Sequence, residues 1–216
     1  MSHKSFRVLA ALPLILLVAA SGAGAQGLRG GIVMSQLTDV EGVEARRGLV
    51  LGASFGLLRF GMLSIAPEVL YIQKGAKRET PTAVSGIDDI RIDYFEIPIL
   101  ARFGGYITGT AIRPSVYAGG YYGFETKCSF GFEDGGDRSA DCFFSGLQEF
   151  GIDGTLKDND TGWVLGGAVE MLTRVGAVSL DARYSQSFGK ITREGSVDEP
   201  RNRGVVIMLG WSPELR

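Results

Sequence analysis

A period of two runs through the chain, and the 3.6-residue period of an amphipathic helix is missing over any useful length. In VSLDARYSQSF (178–188), Val178, Leu180, Ala182 and Tyr184 fall on one side of an extended backbone. Ser179, Asp181, Arg183 and Ser185 fall on the other. Eight segments read this way: 27–36, 47–58, 62–75, 90–104, 111–126, 162–172, 177–189 and 204–212. Such a chain folds as an all-β sandwich or barrel. The open question is which face is inside. A soluble sandwich or barrel buries its apolar face. A membrane barrel turns that face to lipid and its polar face to the lumen.

The connections separate the two. Segments are joined alternately by short turns and by long polar stretches. The short ones are Arg59–Gly61, Gly105–Thr110 and Thr173–Gly176, and the long ones run over 37–46, 76–89, 127–161 and 190–203. Transmembrane barrels sort their loops in this manner, with short periplasmic turns and long external loops. A sandwich has no reason to. The expected fold is therefore all-β, an eight-stranded antiparallel up-and-down transmembrane β-barrel with both termini on the periplasmic side.

The alternation then assigns faces. Leu63, Ile65, Val69 and Tyr71 share one side of their segment, as do Phe95, Ile97, Ile99, Ala101 and Phe103, and Leu49, Leu51, Ala53 and Phe55. The opposite sides are small, polar or charged. Glycine is abundant, 32 residues, and suits the bends of a closing barrel. Eight strands enclose a lumen narrow enough for side chains to fill. Arg29, Glu68, Glu96, Arg102, Glu170, Asp181 and Arg183 are expected to converge there as a charge network, pairing opposite signs. Aromatic residues mark the strand ends: Phe60, Phe103 and Trp211 by the short turns, and Tyr71, Tyr94, Tyr121, Tyr122 and Trp163 by the long loops. Two interfacial girdles would be built this way. Pro67 and Pro98, inside strand patterns, predict local bulges or kinks.

The N-terminus carries an export signature. His3, Lys4 and Arg7 precede the apolar run Val8–Ala20, and Ala23-Gly24-Ala25 supplies small residues for cleavage. Residues 1–25 read as a secretory signal peptide cleaved after Ala25, leaving 26–216 as the barrel domain. The apolar run is short of the roughly twenty residues a membrane helix needs. In an exported protein the two cysteines, Cys128 and Cys142, predict a disulfide.

Several function classes drop out. The formal net charge of −2 and interspersed signs give no basic stripe for nucleic acid. His3 is the one histidine, so the mature chain would hold none for triads, zinc sites or acid–base work. FEDGGD (132–137) and KDNDTG (157–162) are acidic but lack the ligand spacing of a calcium loop. Neither metal, cofactor nor enzymatic role is expected.

GLRGGIVMS, SIAPEVLYIQKGAK and IDYFEIPILARF occur in this order. Glu68, Leu70, Tyr71, Lys74 and Gly75, then Tyr94, Phe95, Glu96, Ile97 and Pro98, carry two runs similar to those of PorT-like outer-membrane β-barrel proteins. Those proteins are also described as porin-family or outer-membrane β-barrel domain proteins of Gram-negative bacteria. The resemblance spans essentially 27–212, with its specific motifs in the first half. It implies a barrel the size of OmpA or OmpX in the cell outer membrane, and no single function. The chain departs from the pattern at its end, where Ser-Pro-Glu-Leu-Arg follows Trp211.

The expected function is a barrel with a filled lumen and a structural or surface-interaction role. Its partners would be outer-membrane lipid, the barrel-assembly machinery during insertion, and an external protein or surface ligand at loop 127–161. Two alternatives stay open: a narrow small-solute porin, and a soluble periplasmic lipocalin-like barrel binding an apolar ligand.

Overall fold

Strands form wherever the alternation is unbroken. They are β1 (Gly27–Thr38), β2 (Val43–Ser54), β3 (Leu58–Phe60), β4 (Leu63–Arg78), β5 (Ile87–Gly104), β6 (Ile112–Phe132), β7 (Ser139–Asp141), β8 (Asn159–Thr173), β9 (Gly176–Ser187) and β10 (Arg201–Ser212). The computed structural model describes residues 27–40, 42–56, 58–79, 86–132, 139–142, 147, 148, 150, 156–192 and 200–213. The segment read as a signal peptide lies outside them.

Neighbours pair antiparallel in the order β1–β2–β4–β5–β6–β8–β9–β10. β10 then pairs with β1, from Leu28↔Trp211 to Thr38↔Arg201, so the sheet closes on itself. β3 continues the line of β2 along β4, and β7 is a short addition to β6. What remains is a closed barrel of eight staves. Closure leaves no free edge in the stave ring to template pairing with another chain.

The faces sort as the alternation requires. Outward positions are apolar and open: Ile99 is 57% exposed, Leu165 56% and Leu209 64%. Every stave contributes, and the outward residues at 28–34, 49–55, 63–71, 95–103, 116–124, 163–171, 178–184 and 205–211 carry no charge. A continuous greasy belt of this kind far exceeds the patches a water-soluble monomer tolerates. Aromatic pairs bound it at the end bearing the long connections: Tyr71 with Phe95, Tyr122 with Phe124, Trp163 with Tyr184. Phe60, Phe103 and Trp211 bound it at the short-turn end. From Phe95 to Phe103 a tilted strand climbs about 20 Å, close to the ~25 Å apolar band of such barrels. Tyr94 and Tyr121, read from sequence as girdle residues, instead point inward and are buried. Their position in the alternation matches that of Glu96 and Tyr117.

Two inward glycines make this interior possible. Gly166 lies opposite Tyr117 and Gly162 opposite Tyr121 across the β6–β8 pair. A Cβ at Gly166 would stand 2.5 Å from the Tyr117 hydroxyl, and one at Gly162 2.5 Å from the Tyr121 ring. Each tyrosine thus lies flat over a neighbour that has no side chain.

The strands run longer at one end than the polar stretches suggest. β4, β5 and β6 have 16, 18 and 21 residues, against the 9–11 or so that a tilted strand needs to cross a bilayer. The connection between β1 and β2 shrinks from the expected 37–46 to 39–42. Polar residues there continue the sheet beyond the apolar belt, where backbone pairing still satisfies the ladder. Cys128 accordingly sits in β6, not in a loop, and is disulfide-bonded to Cys142. Of the bulges or kinks expected at the prolines, no bulge shifts the register, although the β4–β5 ladder is interrupted between Pro67 and Leu70. Pro67↔Ile99 and Leu70↔Glu96 keep one register, and Pro98 pairs with Tyr121 in step with its neighbours. The register shifts fall elsewhere, between Ala45 and Val50 on β2 and at Ile87/Asp89 and Asp93/Tyr94 on β5.

Candidate functional site: a layered ionic lumen

Alternation along β1, β4, β5, β6, β8 and β9 delivers charged side chains to the axis, and closure brings them together. The layer nearer the short-turn end gathers Arg29 from β1, Glu68 from β4, Arg102 from β5 and Asp181 and Arg183 from β9. Arg183 Nη1 donates to Glu68 Oε2 at 2.7 Å, and its Nε to Asp181 Oδ1 at 3.0 Å. Arg102 Nη2 donates to Glu68 Oε1 at 3.1 Å and lies 3.5 Å from Asp181 Oδ2. Arg29 Nη1 donates to Asp181 Oδ2 at 3.0 Å and stands 3.5 Å from Glu68 Oε1. The Tyr117 hydroxyl donates to Asp181 Oδ1 at 2.6 Å, and its ring lies under Arg102 and Arg183, with centroid distances of 4.5 and 5.3 Å. Glu68 is fully buried. Charges removed from water to this degree are tolerable only when paired and hydrogen-bonded.

A second layer lies toward the long-loop end. Lys74 Nζ contacts Glu96 Oε1 at 2.5 Å and Asp160 Oδ2 at 3.2 Å, and lies 4.4 Å from the Tyr121 ring centroid. Ser187 and Asn202 also donate to Asp160, at 2.5 and 3.1 Å. Asn202 reaches the Tyr94 hydroxyl at 3.3 Å. Beside and beyond this layer the interior turns apolar, with Ile87, Ile90, Ile92, Phe130 and Leu37 in one buried cluster. Leu147 and Phe150, from the connection after β6, join that cluster, and Phe150 stacks on Phe130 at 6.2 Å.

Of the charges placed in the lumen by sequence, five meet in the first layer: Arg29, Glu68, Arg102, Asp181 and Arg183. Glu96 belongs to the second layer. Glu170 stands apart near the short-turn end, paired with Arg113 at 2.7 Å and partly exposed. Glu68 and Glu96 are thus held by different cations. The two layers set ion pairs across an interior that a lipocalin-like barrel would leave apolar, and apolar packing is confined to the space beside and beyond the second layer.

Sequence reasoning left out Lys74, Asp160, Tyr117, Arg113, Ser187 and Asn202. The signal was present for most of them. Lys74 shares the parity of Glu68, and Asp160 that of Gly162, Val164 and Gly166. Asp160 was read within an acidic loop stretch, yet β8 begins at Asn159.

A half-open cavity of about 710 Å³ fills the short-turn end, with Arg29, Arg59, Arg102, Arg113 and Glu170 among its lining.

A family model described as outer membrane protein beta-barrel domain matches residues 24–193. No curated protein matches the chain by sequence. Among solved structures, the chain is similar to the outer membrane protein OprG from Pseudomonas aeruginosa, at 11% identity over 89% of this chain and 97% of that chain, with a TM-score of 0.48. Ail, the attachment invasion locus protein of Yersinia pestis, is similar at 12% identity over 88% and 99%, TM-score 0.42. Neisserial surface protein A is similar at 17% identity over 87% and 98%, TM-score 0.44. At these values the likenesses carry no argument about what this chain does.

Proposed function

Because the chain belongs to the outer membrane protein β-barrel domain family, we propose that it works as an outer-membrane barrel with a closed lumen, in a structural or surface-interaction role. One observation carries this reading: two stacked layers of ion pairs cross the interior. Water and ions would have to break buried pairs to pass. Each such pair costs several kcal/mol to break by removing one partner.

The surface role belongs to the connection between β6 and β8, within 127–161. Its base is tied by Cys128–Cys142 and seated by the buried Leu147 and Phe150. Such anchoring limits the chain that must be ordered on contact at the described base of the connection, which favours binding there. Export behind a signal peptide cleaved after Ala25, insertion by the barrel-assembly machinery, and long connections facing outward complete the reading. The PorT-like affiliation rests on the two motif runs around Glu68 and Glu96.

Conductance of the refolded chain in planar bilayers tests it. The expected trace stays at baseline. Stable, reproducible channel steps would favour the narrow small-solute porin instead.

A further inference from the structure

We propose that the cavity at the short-turn end is a binding site for an oxyanion, of phosphate or carboxylate type. Its floor is formed by Arg29 and Arg102 and its rim by Arg59 and by Arg113 with Glu170. Four guanidinium groups against one carboxylate make a strongly electropositive lining. Counted with the ionic layer behind the floor, five guanidinium groups (Arg29, Arg59, Arg102, Arg113 and Arg183) face three carboxylates (Glu68, Glu170 and Asp181), so a net positive surplus of two remains at this end. One layer further in, Lys74 faces both Glu96 and Asp160, a surplus of one negative charge. The interior therefore carries a fixed dipole with its positive end toward the cavity.

Unused donors are the independent observation. The Nε atoms of Arg29 and Arg102 are buried and lack a hydrogen-bond acceptor. The Arg29 side chain is 9% exposed, so it is more than nine-tenths buried while lining the cavity. These N–H groups are closed off from solvent, so an acceptor entering the cavity must shift the side chain to reach them, and it then recovers the cost of leaving them unmade. The planar fork of donors fits a carboxylate or phosphate with two parallel hydrogen bonds. Ser64 on β4 and Ser179 on β9, also in the lining, add hydroxyls. The volume admits more than a bare ion, so the anionic group can be free or the head of a larger molecule.

Titration of inorganic phosphate into the full refolded chain, in phosphate-free maltoside micelles, tests a free anion by calorimetry. A parallel titration with phosphatidylglycerol tests a lipid headgroup. Saturable binding is expected in at least one arm, which also identifies the source. Arg29→Gln should weaken it roughly tenfold or more, Arg59→Gln a few-fold, and Arg47→Gln, on the barrel's outer face, not at all. Should Arg29→Gln fail to fold, judged by loss of heat-modifiable gel mobility, Arg59→Gln decides. No saturable binding in either arm, or binding unchanged in Arg59→Gln and, where it folds, Arg29→Gln, overturns the proposal. So does binding weakened equally by Arg47→Gln.

Discussion

Glu68→Gln probes the lumen network at its most buried point. The carboxylate is fully buried and takes hydrogen bonds from Arg183 at 2.7 Å and Arg102 at 3.1 Å, with Arg29 3.5 Å away. The amide keeps the shape but removes the charge. Three arginines would then face Asp181 alone. Losing one partner of a buried ionic cluster costs about 3–5 kcal/mol, and the near-isosteric amide should fall at the lower end, about 3 kcal/mol. Glu170→Gln is the internal control. It neutralises another lumenal glutamate, but the Glu170–Arg113 pair is partly exposed, and such pairs contribute about 0–1 kcal/mol. Urea titration of the refolded protein, followed by heat-modifiable gel mobility and tryptophan fluorescence, gives both free energies. Adding Arg102→Gln to Glu68→Gln should restore part of the loss, because one unpaired charge is withdrawn. Coupled neighbours show interaction terms of about 0.5–3 kcal/mol. Equal effects of Glu68→Gln and Glu170→Gln, or a double variant that simply adds the two single losses, would refute a mutually compensating cluster.

Ile99→Arg, midway between Phe95 and Phe103 on the outer face, should destabilise the barrel in vesicles by about 2–4 kcal/mol; a shift within about 0.5 kcal/mol, as on a wetted surface, would contradict lipid contact there. Phe150→Ala should cost about 3–5 kcal/mol, the core value, since Phe150 is 1% exposed against Phe130; a negligible change in urea titration would place the ring outside the core. Replacing both Cys128 and Cys142 with serine opens a disulfide spanning 14 positions and should cost about 3 kcal/mol in the chain-entropy model, read from the same titration; unchanged stability would argue against that constraint.

Face assignments were legible because a closed barrel enforces parity along every stave. Leu165, Ile99 and Leu209 could not turn inward without turning Gly166, Arg102 or Gly210 outward. Partnership was less legible. Which cation meets Glu68 or Glu96 depends on the stagger between staves, and no single strand encodes it. Lys74 pairs with Asp160 from β8, three staves round the ring from its own β4 by way of β5 and β6. Tyr94 and Tyr121 were misplaced because an aromatic near a strand end reads as a girdle residue, while its parity, which decides, points to the lumen. Strand ends were blurred for a different reason. Above the apolar belt, polar residues such as Lys77 and Arg78 continue the ladder in water, where composition no longer separates strand from loop. The prolines left a gap in the ladder and no bulge, because one missing donor interrupts a ladder locally without shifting its register.

The central claim is that apolar side chains face lipid while charges face the axis. Nitroxide labels placed singly at 99, 165 and 209, and at the cavity-lining Ser64, test it directly in vesicles, with the native disulfide intact. Collision rates with oxygen and with a water-soluble nickel chelate report the surroundings of each label. Oxygen should dominate at 99, 165 and 209, and the chelate should reach position 64. Free access of the chelate to 99, 165 and 209 would contradict the account.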